Sequence, residues 1–399
     1  HASRPGDGRA WERTRRISAV AAVVWAVTHA VDVLLTHLAV AGSSIGDPTY
    51  GTQLWQFLTE IELGQILGLS VLFAAAAAAA TVAVGGLTSA GWALAATAIA
   101  LVPVALTGHA AGAAAHDLAV SGLYLHLLGV SVWAGGLVVL TLVAPLLRGL
   151  PADTADTARR FSSVAGWCVV LVVVSGFASA YVRLDSPADL VTHPYGRVLL
   201  AKILLTIVLM EAGAWHRRHL LGRLDAAGGE AMAARTARSV FWRLVGAEAL
   251  VIGAVVGLAV TMSSSAPPVP QEPPAAPSPV FDITGYPEPP SPEVLNYLTQ
   301  WYPDPLIATA CGAALVLYLR WRRRLVRRGD RWSTPRTVAW VAGVVVLFWV
   351  TQGGPTVYGR VLFSAHMFEH MMLAMVIPIL LVLGAPVTLA LRALPQRRD

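Results

Sequence analysis

Charge, thiol and lysine are all scarce in this sequence. Only 13% of its 399 residues are Asp, Glu, Lys or Arg, against about 25% in a soluble domain. The two cysteines, Cys168 and Cys311, both stand inside apolar stretches. They make neither a disulfide framework nor a CxxC site, which argues against a thiolate copper site at the cytoplasmic face. Lys202 is the single lysine, and the remaining cations are arginines gathered in blocks between apolar stretches. That is not the basic surface of a nucleic-acid binder. No Walker A loop is present to couple the chain to a nucleotide. No signal peptide is visible, and a first residue of His1 rather than Met leaves room for upstream sequence, a further span included.

What is abundant is apolar sequence: 56% of residues, with a mean hydropathy of +0.62. Stretches of about 20 uncharged residues match the thickness of a bilayer core. The pattern predicts an all-α, polytopic membrane protein of ten spans: 17–41, 60–84, 87–108, 119–147, 162–182, 196–216, 239–262, 304–320, 336–352 and 361–391. The fourth and tenth are long enough to be tilted, or broken at Pro145 and Pro378. Arginines crowd the N-terminal stretch, the 148–161, 216–239 and 320–336 loops and the C-terminal tail. With ten spans these all fall on one side, and the positive-inside rule puts both termini in the cytoplasm. The Ala run 74–80 reads as a tightly packing helix face. A Pro/Ser-rich break at 263–293, without Lys or Arg, reads as an extended external linker. It separates a seven-span domain, 1–262, from a three-span domain, 294–399.

On this topology His37, His109, His116, His193, His366 and His370 lie at external span ends or loops, with His126 a few turns inside from the same face. His216 and His219 are the cytoplasmic pair, beside Arg217 and Arg218. A site fed from outside would show such a bias, and so would imidazoles anchoring helix ends at the interface. The stretch FSAHMFEHMMLAMVIPILLVLGAP (363–386) is the sharpest case. His366 and His370 share one helix face, and Met367 and Met371 share the next, turned by about 100°. Imidazole and thioether together suit copper, thioether favouring Cu(I). The ordinary alternative is methionine packing with the histidines bonded to neighbouring helices. HMFEH also fits the HxxEH peptidase pattern with Glu369 as general base, but residues 371–399 offer no further His and only Asp399 as an acid. A catalytic metal needs a third protein ligand.

A second cluster lies in GHAAGAAAHDLAVSGLYLHLLGVSVWAGGL (108–137). His116 and His126 would stand about 15 Å apart on a straight helix, so His109 with His126, from adjacent antiparallel spans, is the better pair. A b-type haem held by two axial imidazoles is the alternative occupant. Lys202, Glu211, Glu248 and the His29/Asp32 pair are the other ionisable groups inside spans, each readable as helix-to-helix bonding or as part of an ion route.

These residues carry a family resemblance. HLLGVSVWAGGL, RFSSVAGW, SGFASAYVRL, HPYGRVLLAKILL and VGAEALVIGAVVGLAVTMSSSAPP resemble the copper resistance protein D (CopD) membrane family. WYPDPLIATACGAALVLYLRWRRR, GDRWSTPRTVAW and TQGGPTVYGRVLFSAHMFEHMMLAMVIPILLVLGAPVTLALRALP resemble the CtaG cytochrome c oxidase assembly factor family. The order is that of fused proteins of high-GC Gram-positive bacteria. In the second family Gln usually precedes the second His where this chain has Glu369, and the resemblance stops after three spans, about half of what the family carries. It implies a non-enzymatic copper transport and delivery protein of the bacterial plasma membrane. Copper would be received through His109, His116 and His126 and passed to His366, Met367, His370 and Met371. The implied partners are copper ions, external copper chaperones and cytochrome c oxidase subunits.

Overall fold

The computed structural model describes residues 5–42, 44–107, 116–147, 151–215, 246–247, 249–262, 265, 267–269 and 278–393. The described residues are helical with no strand. The chain divides into two compact units, His1–Gln271 and Glu272–Asp399.

In the first unit α1 (Pro5–Ala41), α3 (Glu62–Val82) and α4 (Leu87–Leu106) pack in series, and α5 (His116–Leu147) lies against α6 (Pro151–Arg183) as well as α1 and α4. α7 (Asp189–Thr192) leads into α8 (Pro194–Trp215), and α9 covers Ala249–Met262. Small residues allow the close approaches. Ala74, Ala77 and Ala78, from the alanine run, are buried. A Cβ on Gly129 would stand 3.1 Å from the Cys168 carbonyl oxygen and 3.1 Å from Val172 Cγ2 on α6. Larger apolar side chains such as Val24, Val27, Leu34, Phe177 and Val208 stay exposed, as they do on helices whose outer surface meets lipid.

One helix was not legible as a span or as structure. The loop between the first two spans holds α2 (Tyr50–Glu60), entered through Asp47, whose Oδ1 accepts from the Thr49 amide at 2.9 Å and the Thr49 hydroxyl at 2.8 Å. These bonds, the amide's first, hold the Asp47 carboxyl below its ordinary pKa. Phe57 of α2 is buried with Val33 and Leu67, and Gly64 lets it sit directly on α3.

In the second unit α10 (Pro279–Thr284) and α11 (Val294–Thr299) precede α12 (Pro305–Arg327), α13 (Thr334–Gln352), α14 (Gly354–Gly359) and α15 (Phe363–Met371). A π-turn, Met372–Val376, then leads to α16 (Ile377–Leu383) and α17 (Pro386–Ala393). The core gathers Tyr318, Leu325, Trp332 and Leu389. Tyr318 stacks on Trp340 at 5.1 Å, donates to the Gly384 carbonyl at 2.8 Å and accepts from Trp332 Nε1 at 3.1 Å. That bond braces the α16–α17 break, where Ala385 has a φ of 47°, a costly conformation for a residue with a Cβ. Residues 278–293, read from composition as extended linker, instead carry α10 and lie on this unit: Tyr358 donates to the Ser291 carbonyl at 3.3 Å.

Seven described stretches are long and apolar enough to cross a membrane: Gly8–Ala41, Glu62–Val82, Leu87–Leu106, Asp117–Val143, Arg160–Arg183, Thr334–Gly359 and Phe363–Ala393. The other expected spans also form helices but are less apolar or shorter. α8 carries Arg197, Lys202 and Glu211, α12 ends in arginines, and α9 is described over 14 residues, about 21 Å. Helix α5 continues through Pro145, whereas the last span passes Pro378 by way of a π-turn at Met372–Val376 and is broken at Ala385.

Candidate metal-handling surfaces

α15 presents two faces. Ala365 is buried and Glu369 half-buried on the inner one, with the Glu369 carboxylate against Gly359 of α14; a Cβ there would stand 2.6 Å from Glu369 Oε2. His366, Met367, His370 and Met371 are all exposed on the outer one. The i, i+4 spacing keeps each pair in register. The helix then changes pitch. The Ile377 amide bonds the Met372 carbonyl, five residues back, and Pro378 explains why: its ring lacks an N–H and would clash with the carbonyl four residues earlier in a regular helix. The extra residue rotates everything beyond Met371 by about 100° relative to an unbroken helix. The His/Met surface is thus confined to one α-helical segment, 363–371.

A folded clamp holds that segment's entry. Gln352 is buried; its backbone carbonyl accepts from the Tyr302 amide at 2.7 Å and its Oε1 from the Asp304 amide at 3.2 Å. Trp349 donates to the Tyr297 carbonyl at 3.3 Å and meets Phe368 of α15 edge-on at 6.3 Å. Arg360, between α14 and α15, lies 4.3 Å from the centre of the Tyr286 ring and 3.7 Å from that of Tyr302, a two-sided cation–π arrangement. Sequence reasoning missed Gly359, Arg360 and this tyrosine pair. The available signal was two tyrosines, in TGYPEP and WYPDP, standing out in a proline-rich stretch.

In the first unit His126 turns toward α6. Its Nδ1 is 3.1 Å from Ser175 Oγ, and that hydroxyl donates to the Val172 carbonyl at 3.1 Å. With the serine proton so committed, Nδ1–H is the donor to Ser175, and Nε2 keeps the lone pair of the neutral ring. The backbone of His116 opens α5; its side chain and all of His109 lie outside the described residues. No pairing of these three is therefore described. Among the described residues no group of three or more His, Cys, Asp or Glu is placed to hold a metal ion.

Two further histidines have structural settings. His37, near the end of α1, is buried, with its ring edge-on to Tyr50 at 5.1 Å and to Phe57 at 5.4 Å, because α2 folds over it. His193 Nδ1 accepts from the Tyr195 amide at 3.2 Å at the start of α8.

The fold and these surfaces define an all-α, membrane-integral protein with exposed imidazole and thioether groups on α15. Three family models match it in order: Copper resistance protein D-like, N-terminal domain, over residues 2–117; Copper resistance protein D over 155–262; and Cytochrome c oxidase caa3 assembly factor over 316–399. The chain thus matches a fused CopD/CtaG membrane protein. An uncharacterized protein of Mycobacterium leprae is 31% identical over 316 residues, 75% of this chain and 41% of the relative. One from Mycobacterium bovis is 44% identical over 115 residues, 29% of this chain and 17% of its own length. Copper transport protein CutJ of Bacillus subtilis is 32% identical over 118 residues, 29% of this chain and 22% of that protein. The chain thus spans less than half the length of these relatives. No solved structure matches it. The matched families are copper-resistance and oxidase-assembly families rather than enzyme families, and they support copper handling in general.

Proposed function

We propose that this protein takes up copper ions at the external face of a bacterial plasma membrane and hands them on for cytochrome c oxidase assembly, acting as a carrier and not a catalyst. The observation that carries this reading is the exposed face of α15, where His366 and His370 stand beside Met367 and Met371, inside the region matched to the oxidase assembly factor. Copper is the cargo. Mixed imidazole and thioether ligands bind Cu(I) without thiolates that an oxidising compartment would consume. Exposure suits transfer, because a partner's ligands can reach an ion held by two residues and displace them one at a time. External copper chaperones and oxidase subunits are the partners this implies.

In the first unit His126 is the described ligand candidate, with Ser175 fixing its tautomer so that Nε2 is the donor atom. His109 and His116 complete the proposed receiving set. The seven-span and three-span organisation, with cytoplasmic termini, belongs to the same proposal.

The test is His366→Ala combined with His370→Ala in cells that depend on this chain. Copper in the assembled oxidase should fall by about tenfold or more, with the variant inserted at normal abundance. Unchanged oxidase copper would make the motif structural.

A further inference from the structure

We propose that the cytoplasm-assigned end of α12 is a binding site for anionic phospholipid headgroups, those carrying two phosphates above all. Arg320, Arg323, Arg324, Arg327 and Arg328 line one concavity. Their spacing of i, i+3, i+4, i+7 and i+8 places them on one helix face. The opposite face carries the buried Tyr318 and Leu325, so the stripe is held in orientation by the core behind it. Arg322, off the stripe, is half-buried.

Charge is strongly unbalanced here. Residues 320–336 hold eight arginines and one acid, Asp330, and Asp330 lies 3.8 Å from Arg392 on α17. Two cations outside the stripe sit over the Trp332 ring, Arg336 at 5.3 Å and Arg392 at 5.9 Å. Like charges lining one concavity, Arg323, Arg324, Arg327 and Arg328 among them, repel one another, and an entering anion relieves that repulsion. Guanidinium forks match phosphate oxygens two at a time. Topology requires positive charge near the membrane, and the buried Tyr318 and Leu325 leave the exposed face for it; the concavity that the five arginines share is the further feature, and it is what a phosphate-bearing headgroup would enter.

Position selects lipid as the source of the phosphate. Trp321, Trp332 and Trp340 surround the same helix end, and tryptophan concentrates at the depth of lipid headgroups. From Arg320 to Arg328 the stripe is about 12 Å long, longer than one phosphate needs and matched to two on one headgroup. Basic clusters beside a span draw anionic lipid through such charges.

The test uses the full chain purified in neutral detergent, with bound lipid counted by native mass spectrometry. A two-phosphate lipid should bind more tightly than a one-phosphate anionic lipid, and a zwitterionic lipid least. Arg323→Gln with Arg327→Gln should weaken the two-phosphate lipid by about tenfold or more. Arg322→Gln with Arg331→Gln removes the same charge off the stripe and should change it by less than about threefold. Equal losses in the two pairs would reduce the stripe to bulk charge and overturn the proposal. Zwitterionic lipid bound as tightly by the unaltered chain would overturn it with no variant needed. Displacement of lipid by about 10 mM inorganic phosphate, but not by chloride at matched ionic strength, would make this a site for free phosphate and also overturn it.

Discussion

The two units treat histidine in opposite ways. In the first, His126 is bonded to a buried serine and His37 is enclosed by Tyr50 and Phe57. In the second, His366 and His370 stand exposed beside Met367 and Met371, while the polar Glu369 is tucked behind them against Gly359. An enclosed imidazole has its tautomer and rotamer fixed by neighbours and can bind only what reaches it through the fold. An exposed pair has no such constraint and can exchange ligands with another protein. The contrast, enclosed against exposed, is what the proposed roles of conduit and docking face rest on, and it can be broken at several points.

The largest effect should come from the scaffold that orients His126. Gly129→Leu places a side chain where even a Cβ would lie 3.1 Å from the Cys168 carbonyl oxygen. It should cost about 1–3 kcal/mol or prevent close α5–α6 packing, read as a lowered unfolding temperature in detergent. An unaltered temperature would show that α5 and α6 do not meet through this glycine.

Next is the link between the histidine and its serine. Ser175→Ala removes the group that selects the His126 tautomer and should weaken copper binding to the full chain's first-unit site by about 10–100-fold. Measured in the His366→Ala, His370→Ala background, this isolates the conduit from the docking face. Equal affinity would place His126 outside the ligand set.

Tyr318→Phe should leave the α16–α17 break unbraced, stranding the Gly384 carbonyl and Trp332 Nε1. Its cost should be about 1–3 kcal/mol, seen in detergent unfolding, with copper binding at 366–371 retained. Coupled loss of copper binding would mean that the docking face depends on the far end of its span.

The smallest effect concerns Glu369. A peptidase requires this carboxylate, and loss of a general base costs about 10²–10⁴-fold in rate. Its place on the inner face, behind the histidines, fits packing and orientation. Glu369→Gln should therefore be nearly silent for oxidase assembly, and Glu369→Ala mildly harmful. Collapse of function with Gln would favour proton transfer.

Most of the helical architecture was legible because lipid imposes length and apolarity together. The seven stretches from Gly8–Ala41 to Phe363–Ala393 are each visible as such runs. What stayed hidden depends on contacts between segments distant in sequence. Helix α2 is too short and too polar to announce itself beside true spans, yet Phe57 finds the notch at Gly64 and encloses His37. Proline-rich composition over 263–293 concealed that Tyr286 would meet Arg360. In the motif itself, spacing gave the shared face of His366 and His370. Exposure of that face, and the turn inward of Glu369, required the packing of Ala365 and Gly359.

The central claim is that copper is the cargo and the 366–371 face holds it. Metal analysis of the purified full chain, with an absorption spectrum of the same preparation, tests this most directly. The account predicts bound copper, no haem Soret band, and loss of a major share of the copper in His366→Ala, His370→Ala. A Soret band, zinc in place of copper, or copper undiminished in the double variant would contradict it.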